Sequence, residues 1–142
     1  MNMMNLHFFQ RQEQAMPGSL AQPVTYPACE WRSPHGEAEL DHTHPLNRFL
    51  CSWLTSDMAD VARCDEVLGA MEQLASGALT EWYADGDMFC VDFKPSGVQF
   101  NQSNVGPEDT DWWNLPEARF DLPDVKTALQ AWRDYLVRLA VA

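Results

Sequence analysis

From position 46 onward the apolar residues fall into long periodic stretches. Leu46, Phe49, Leu50, Trp53 and Leu54 recur at helical spacing behind Pro45, a residue suited to a helix's first position. Thr55-Ser56-Asp57 offers N-cap chemistry for a second helix with Asp60 in its first turn. The apolar stripe of that helix is Val61, Cys64, Val67, Leu68, Met71 and Leu74, and Gly77 supplies its stop. The two stripes nearly join, so one long bent helix over 46–76 fits the same pattern.

The period then changes from helical to alternating. Segments 79–84 and 88–93 flank Asp85-Gly86, a dipeptide suited to a two-residue hairpin that would pair Trp82 with Phe89. Lys94-Pro95-Ser96-Gly97 forms the next turn and leads into 98–102. Pairing Lys94 with Gly97 sets Phe93 against Val98 and Val91 against Phe100, whereas a three-residue loop sets Phe93 against Gln99. The first register gathers Trp82, Phe89, Val91, Phe93, Val98 and Phe100 on one face, and the pattern favours it. Residues 103–121 read as a long acidic loop. Leu122, Val125, Leu129, Trp132, Leu136 and Leu139 then predict a long C-terminal helix, capped by Asp121, that covers the apolar face of the sheet.

Residues 1–45 show no sustained period and carry five prolines. They are expected to form an irregular arm with a short strand around 6–10, pinned to the core by Phe8, Phe9, Tyr26 and Trp31. The chain therefore reads as one α+β domain over 1–142. Its core at 46–142 is a small antiparallel meander of three or more strands packed against helices.

Composition narrows what such a domain can do. The 142 residues include 46% hydrophobic residues, so a packed core is expected rather than a disordered acidic chain. The formal net charge of −12 argues against nucleic acid or an anionic membrane as direct partner, and a basic protein is the natural complement. The start of the chain has no basic n-region and no segment is apolar enough to span a bilayer, so a cytoplasmic location is expected. Cys29, Cys51, Cys64 and Cys90 form no Cys-x-x-Cys pair and are expected to be buried free thiols.

Catalytic signatures are missing. The sequence has no phosphate-binding glycine loop, no His-Glu-x-x-His and no nucleophile elbow, and no catalytic residue or cofactor is expected. His35 and Asp41-His42-Thr43-His44 are the best metal candidates, but helix-capping or solvated histidines are the simpler reading. Charge is more informative. Between positions 81 and 124 ten acids face two bases, a net −8 out of the chain's −12. Glu108-Asp109-Thr110-Asp111 runs directly into Trp112-Trp113. Acids beside exposed aromatics suit a protein interface, in which charges steer the partner and aromatic anchors are desolvated. The partner-binding candidates are Asp85, Asp87, Glu108, Asp109, Asp111, Trp112 and Trp113. The alternative is a solvated acidic loop whose tryptophans fold back into the core, and one Trp in with one out lies between the two.

The run from about 65 to 137 resembles the YacL-like family of small acidic bacterial proteins, which is similar to certain immunity proteins of contact-dependent growth inhibition systems. Asp65-Glu66-Val67, Trp82, Asp85-Gly86, Trp112-Trp113 and a closing helix with Val125, Trp132, Arg133 and Tyr135 carry the resemblance. Residues 1–45 depart from the family pattern, because its opening strands are not evident there. The resemblance implies a non-catalytic protein that binds and neutralises a cognate toxin domain, often a nuclease, by occluding its basic cleft. An acidic nucleic-acid mimic that antagonises another basic protein is the second reading. A metal-assisted hydrolase using the histidine segment is the third.

Overall fold

Residues 1–45 hold more order than their prolines suggest. In the computed structural model of the chain, which describes residues 5–13, 17, 18, 23–35, 39–103, 105, 108 and 112–141, a β-hairpin replaces the expected irregular arm. The strand expected around 6–10 is β1 (Leu6–Glu13), and it pairs antiparallel with an unforeseen β2 (Val24–Trp31). Pro27 is tolerated within β2 for a geometric reason. The N–H groups of Cys29 and Trp31 point away from β1, toward Thr55 Oγ1 (3.1 Å) and Asn47 Oδ1 (2.7 Å). Pro27 has the same parity, so the N–H it lacks lies on the side that does not pair with β1.

The first predicted helix opens as a π-helical turn, Leu46–Cys51, and continues as α1 (Ser52–Asp57). The wider turn leaves main-chain carbonyls to be satisfied, and the Ser52 hydroxyl donates to Asn47 O at 2.9 Å. The chain breaks at Met58, so one continuous helix over 46–76 does not form. α2 (Val61–Ser76) follows with Asp60, not Thr55–Asp57, as its N-cap: the Asp60 carboxylate accepts from Ala62 N–H at 3.0 Å. Gly77 ends α2 as expected, at φ 85°, a conformation that glycine adopts without penalty.

The meander comprises β3 (Trp82–Asp85), β4 (Phe89–Lys94) and β5 (Gly97–Gln102). The β4–β5 register is the expected one, with Lys94 opposite Gly97 and Phe93 opposite Val98. The β3–β4 register is not. Trp82 pairs with Phe93 rather than Phe89, and the turn tip moves from Asp85-Gly86 to Asp87-Met88. The slip preserves parity, so Trp82 still shares the face of Phe89, Val91, Phe93, Val98 and Phe100. A two-residue strand, β6 (Arg119–Phe120), pairs with β5 inside the stretch expected to be all loop.

The buried face is an aromatic cluster. Phe100 meets Phe89, Phe120 and Trp53 edge-on at centroid distances of 5.4–5.9 Å, and Phe49 meets Phe89 at 6.2 Å. Rings from the π-turn and α1 therefore take much of the cover expected from the last helix alone. That helix, α3 (Leu122–Val141), buries Leu122, Val125, Leu129, Trp132 and Leu136 as its spacing predicts. It packs along α2 and reaches both β5 and β1. Asp65 and Arg133, two residues that carried the family resemblance, pair across the α2–α3 contact at 2.9 Å. Phe8 of β1 stacks edge-on against Trp132 at 5.5 Å, so the N-terminal hairpin shares the common core. Among the described residues no helix is long and apolar enough to cross a membrane.

Candidate partner-binding surface

The displaced turn between β3 and β4 is built by a side chain 31 residues away in sequence. The Asp57 carboxylate, at the end of α1, accepts from Met88 N–H and Phe89 N–H, each at 3.0 Å. Asp57 is thus committed to this turn, which leaves Asp60 to cap α2. Burial pushes the Asp57 carboxyl above its ordinary range, the nearby Asp87 charge adds to that, and the two backbone donors oppose it. Gly86 is required by close approach rather than by φ, because a Cβ there would lie 2.6 Å from Asp57 Oδ2. Gly86→Ala should cost roughly 1–2 kcal/mol, since Asp57 can move aside only by giving up its turn bonds. In a double-mutant cycle with Asp57→Ala that cost should largely disappear; purely additive denaturation energies would contradict the contact.

Two exposed apolar side chains, Met88 and Trp112, belong to the same end of the sheet. Ser103 N–H bonds Met88 O at 3.0 Å, and its hydroxyl donates to Gly86 O at 2.8 Å. One residue earlier, Gln102 N–H bonds Trp112 O at 3.1 Å. The end of β5 thereby ties the turn tip and Trp112 together. Met88 is 39% and Trp112 47% exposed, whereas Trp113 is half-buried. Neither tryptophan is part of the buried core, so the reading with one folded into it is not met. Trp112 lies 6.0 Å from the Arg48 guanidinium, which also stacks on Phe49 at 4.7 Å and approaches Glu117 at 4.0 Å.

Asp85 and Asp87 are exposed beside this patch, and Glu108 is exposed in the loop that leads to it. Asp109 and Asp111 lie outside the described residues. Asp85 also accepts from the Cys90 thiol at 3.1 Å on the outer face of the sheet. On that face the segment before β6 covers β5: Asn114 N–H bonds Asn101 Oδ1 at 2.8 Å, and Gln99 Nε2 donates to Leu115 O at 2.9 Å. Tyr83, 49% exposed on β3, lies on this outer face opposite Asp92 of β4. Sequence reasoning missed Met88, Tyr83, Arg48 and Asp57. The alternation held a signal for Tyr83, since Trp82 facing inward on a strand turns Tyr83 outward.

The histidine segment does structural work. His44 Nδ1 accepts from Leu46 N–H at 3.2 Å, and its ring stacks on Trp31 at 3.8 Å, the helix-capping role expected for one of these residues. Asp41 accepts from the Thr43 N–H and hydroxyl, bonds that hold its carboxyl below the ordinary range. Among the described residues no group of three His, Cys, Asp or Glu side chains could hold a metal ion. All four cysteines are free and buried. No protein-family model, curated protein or solved structure matches the chain.

Proposed function

We propose that this chain is an immunity-type binding protein of the cytoplasm. It docks on a basic toxin domain, a nuclease in the sense the sequence resemblance implies, and neutralises it by covering the cleft that takes nucleic acid. One observation carries the reading: exposed Met88 and Trp112 are tied to the same end of the sheet, beside the exposed acids Asp85 and Asp87. An apolar anchor with exposed acids beside it suits association with a basic protein. The acids lower the encounter barrier over a Debye length of roughly 8 Å at physiological salt, and the aromatic anchor slows escape. Blocking by occlusion needs only equilibrium binding and no chemistry on the part of this chain.

The test is co-expression of the tagged chain with the protein encoded immediately upstream, followed by stopped-flow association across a salt series. Combining Asp85→Asn, Asp87→Asn and Glu108→Gln should slow association and flatten its salt dependence, with little change in melting temperature. Trp112→Ala should speed dissociation and cost about 2 kcal/mol of binding. Failure to form a complex, or an association rate indifferent to salt and to the triple variant, would overturn the reading.

A further inference from the structure

Where the N-terminal hairpin lies on the helical segment, two thiols meet. Cys29 is on β2 and Cys51 closes the π-helical turn, and the Cys29 thiol donates to Cys51 Sγ at 3.1 Å. A disulfide holds its sulfurs about 2.0 Å apart, so an approach of about 1 Å converts this contact into a bond. The other two thiols are engaged elsewhere: Cys64 donates to Met58 O and Cys90 to Asp85 Oδ1. Cys29 and Cys51 also line one wall of a cavity of about 360 Å³, with Tyr26, His42, Asn47 and Thr55 around them. That volume admits a small polar oxidant, since a water molecule occupies only about 30 Å³ of liquid.

We propose that Cys29 and Cys51 form a dithiol that hydrogen peroxide, entering through this cavity, closes to a reversible disulfide, stitching β2 to the helical layer. The bond to Cys51 and burial hold the Cys29 thiol above its ordinary range. In the contact between them Cys29 is the donor and Cys51 Sγ the acceptor, which assigns the first attack to Cys51. The Cys51 sulfur attacks one peroxide oxygen and gives up its proton to water. The S–O bond forms, the O–O bond breaks, and the departing hydroxide takes up a proton to become water. Cys29 sulfur then attacks the sulfenic sulfur of Cys51; the S–S bond forms, the S–O bond breaks, and a second water leaves with the Cys29 proton. Two thiols have lost two electrons, and one peroxide has been reduced to two waters.

The experiment uses the full chain, fully reduced and then exposed to one equivalent of hydrogen peroxide. After quenching and denaturation, two of the four thiols should be lost, and the intact mass should fall by about 2 Da, the two hydrogens removed. Trypsin cuts after Arg32 and Arg48, which places Cys29 and Cys51 in different peptides, so a linked pair identifies the bond directly. Dithiothreitol should separate the peptides and restore both thiols. Closing a loop between positions 29 and 51 should raise the melting temperature of the oxidised chain by roughly 8 °C. In Cys29→Ser and Cys51→Ser the linked peptide and the rise should both vanish. Four surviving thiols, a bond that involves Cys64 or Cys90, or stepwise oxidation of Cys51 to a sulfinate with Cys29 still free would each overturn the proposal. The wild-type measurement stands by itself if a variant fails to fold.

Discussion

Trp132→Ala is expected to destabilise the chain by about 4 kcal/mol, in the middle of the range for a buried aromatic truncated to Ala. The side chain is fully buried and joins three parts of the fold. Its indole N–H donates to Met58 O at 2.8 Å, at the bend between α1 and α2. Its ring meets Phe8 of β1 at 5.5 Å and Tyr135 of α3 at 5.9 Å. Truncation thus opens a cavity, removes a hydrogen bond to a buried carbonyl and loosens the seat of the N-terminal hairpin. Urea denaturation measures the loss, and the melting temperature should fall by roughly 12–15 °C. Trp132→Phe keeps most of the ring contact but not the donor, and should cost about half as much. A loss below about 1.5 kcal/mol for Trp132→Ala would show that the core collapses onto the site and that the hairpin is held by other contacts.

Asn47→Leu should produce the second largest effect, about 3 kcal/mol, although the two side chains have the same number of heavy atoms and the same branching. The Asn47 side chain finishes the outer edge of β2 as a neighbouring strand would. Its Oδ1 accepts from Trp31 N–H, while its Nδ2 donates to Trp31 O and to Asp41 O, each at 2.9 Å. Leucine withdraws all three bonds from main-chain groups that stay part-buried. The loss should be local in hydrogen exchange: Cys29 and Trp31 amides should lose protection, while α2, α3 and the meander keep theirs. Asn47→Asp retains one acceptor but neither donor, and should fall between the wild type and leucine. Unchanged exchange at Trp31 in the leucine variant would mean that the clamp contributes nothing.

Where the sequence was informative, local pattern and tertiary contact asked for the same structure. The β4–β5 register followed from keeping Phe93, Val91, Val98 and Phe100 on one side, and α3 from its unbroken apolar stripe. The β3–β4 turn was misplaced because Asp85-Gly86 is the stronger local hairpin signal. Asp57, far away in the chain, instead binds the N–H groups of Met88 and Phe89 and fixes the tip there. Parity survived the slip because both registers bury the same face. The N-terminal hairpin was hidden by Pro27, whose tolerance depends on which side of β2 the missing N–H faces. The π-turn left no trace in the spacing of Leu46, Phe49 and Leu50, since those positions are buried in either helical form. At the candidate surface Asp85 and Asp87 were legible as charges. Met88 and Arg48 were not, because their relevance comes only from what the end of β5 and the π-turn place beside Trp112.

β3 is one margin of the four-stranded sheet, and it is only four residues long. An open strand margin invites another copy of the chain to add its own strand, which is how soluble proteins begin to aggregate. Here Glu81 and Asp85 bracket that margin, both exposed, and Asp87 stands just beyond it. Two copies approaching margin to margin would bring these carboxylates face to face, and the repulsion keeps them apart. Acids proposed to draw in a basic partner would in this way also keep the chain from adding strands to itself at the concentrations an abundant protein reaches.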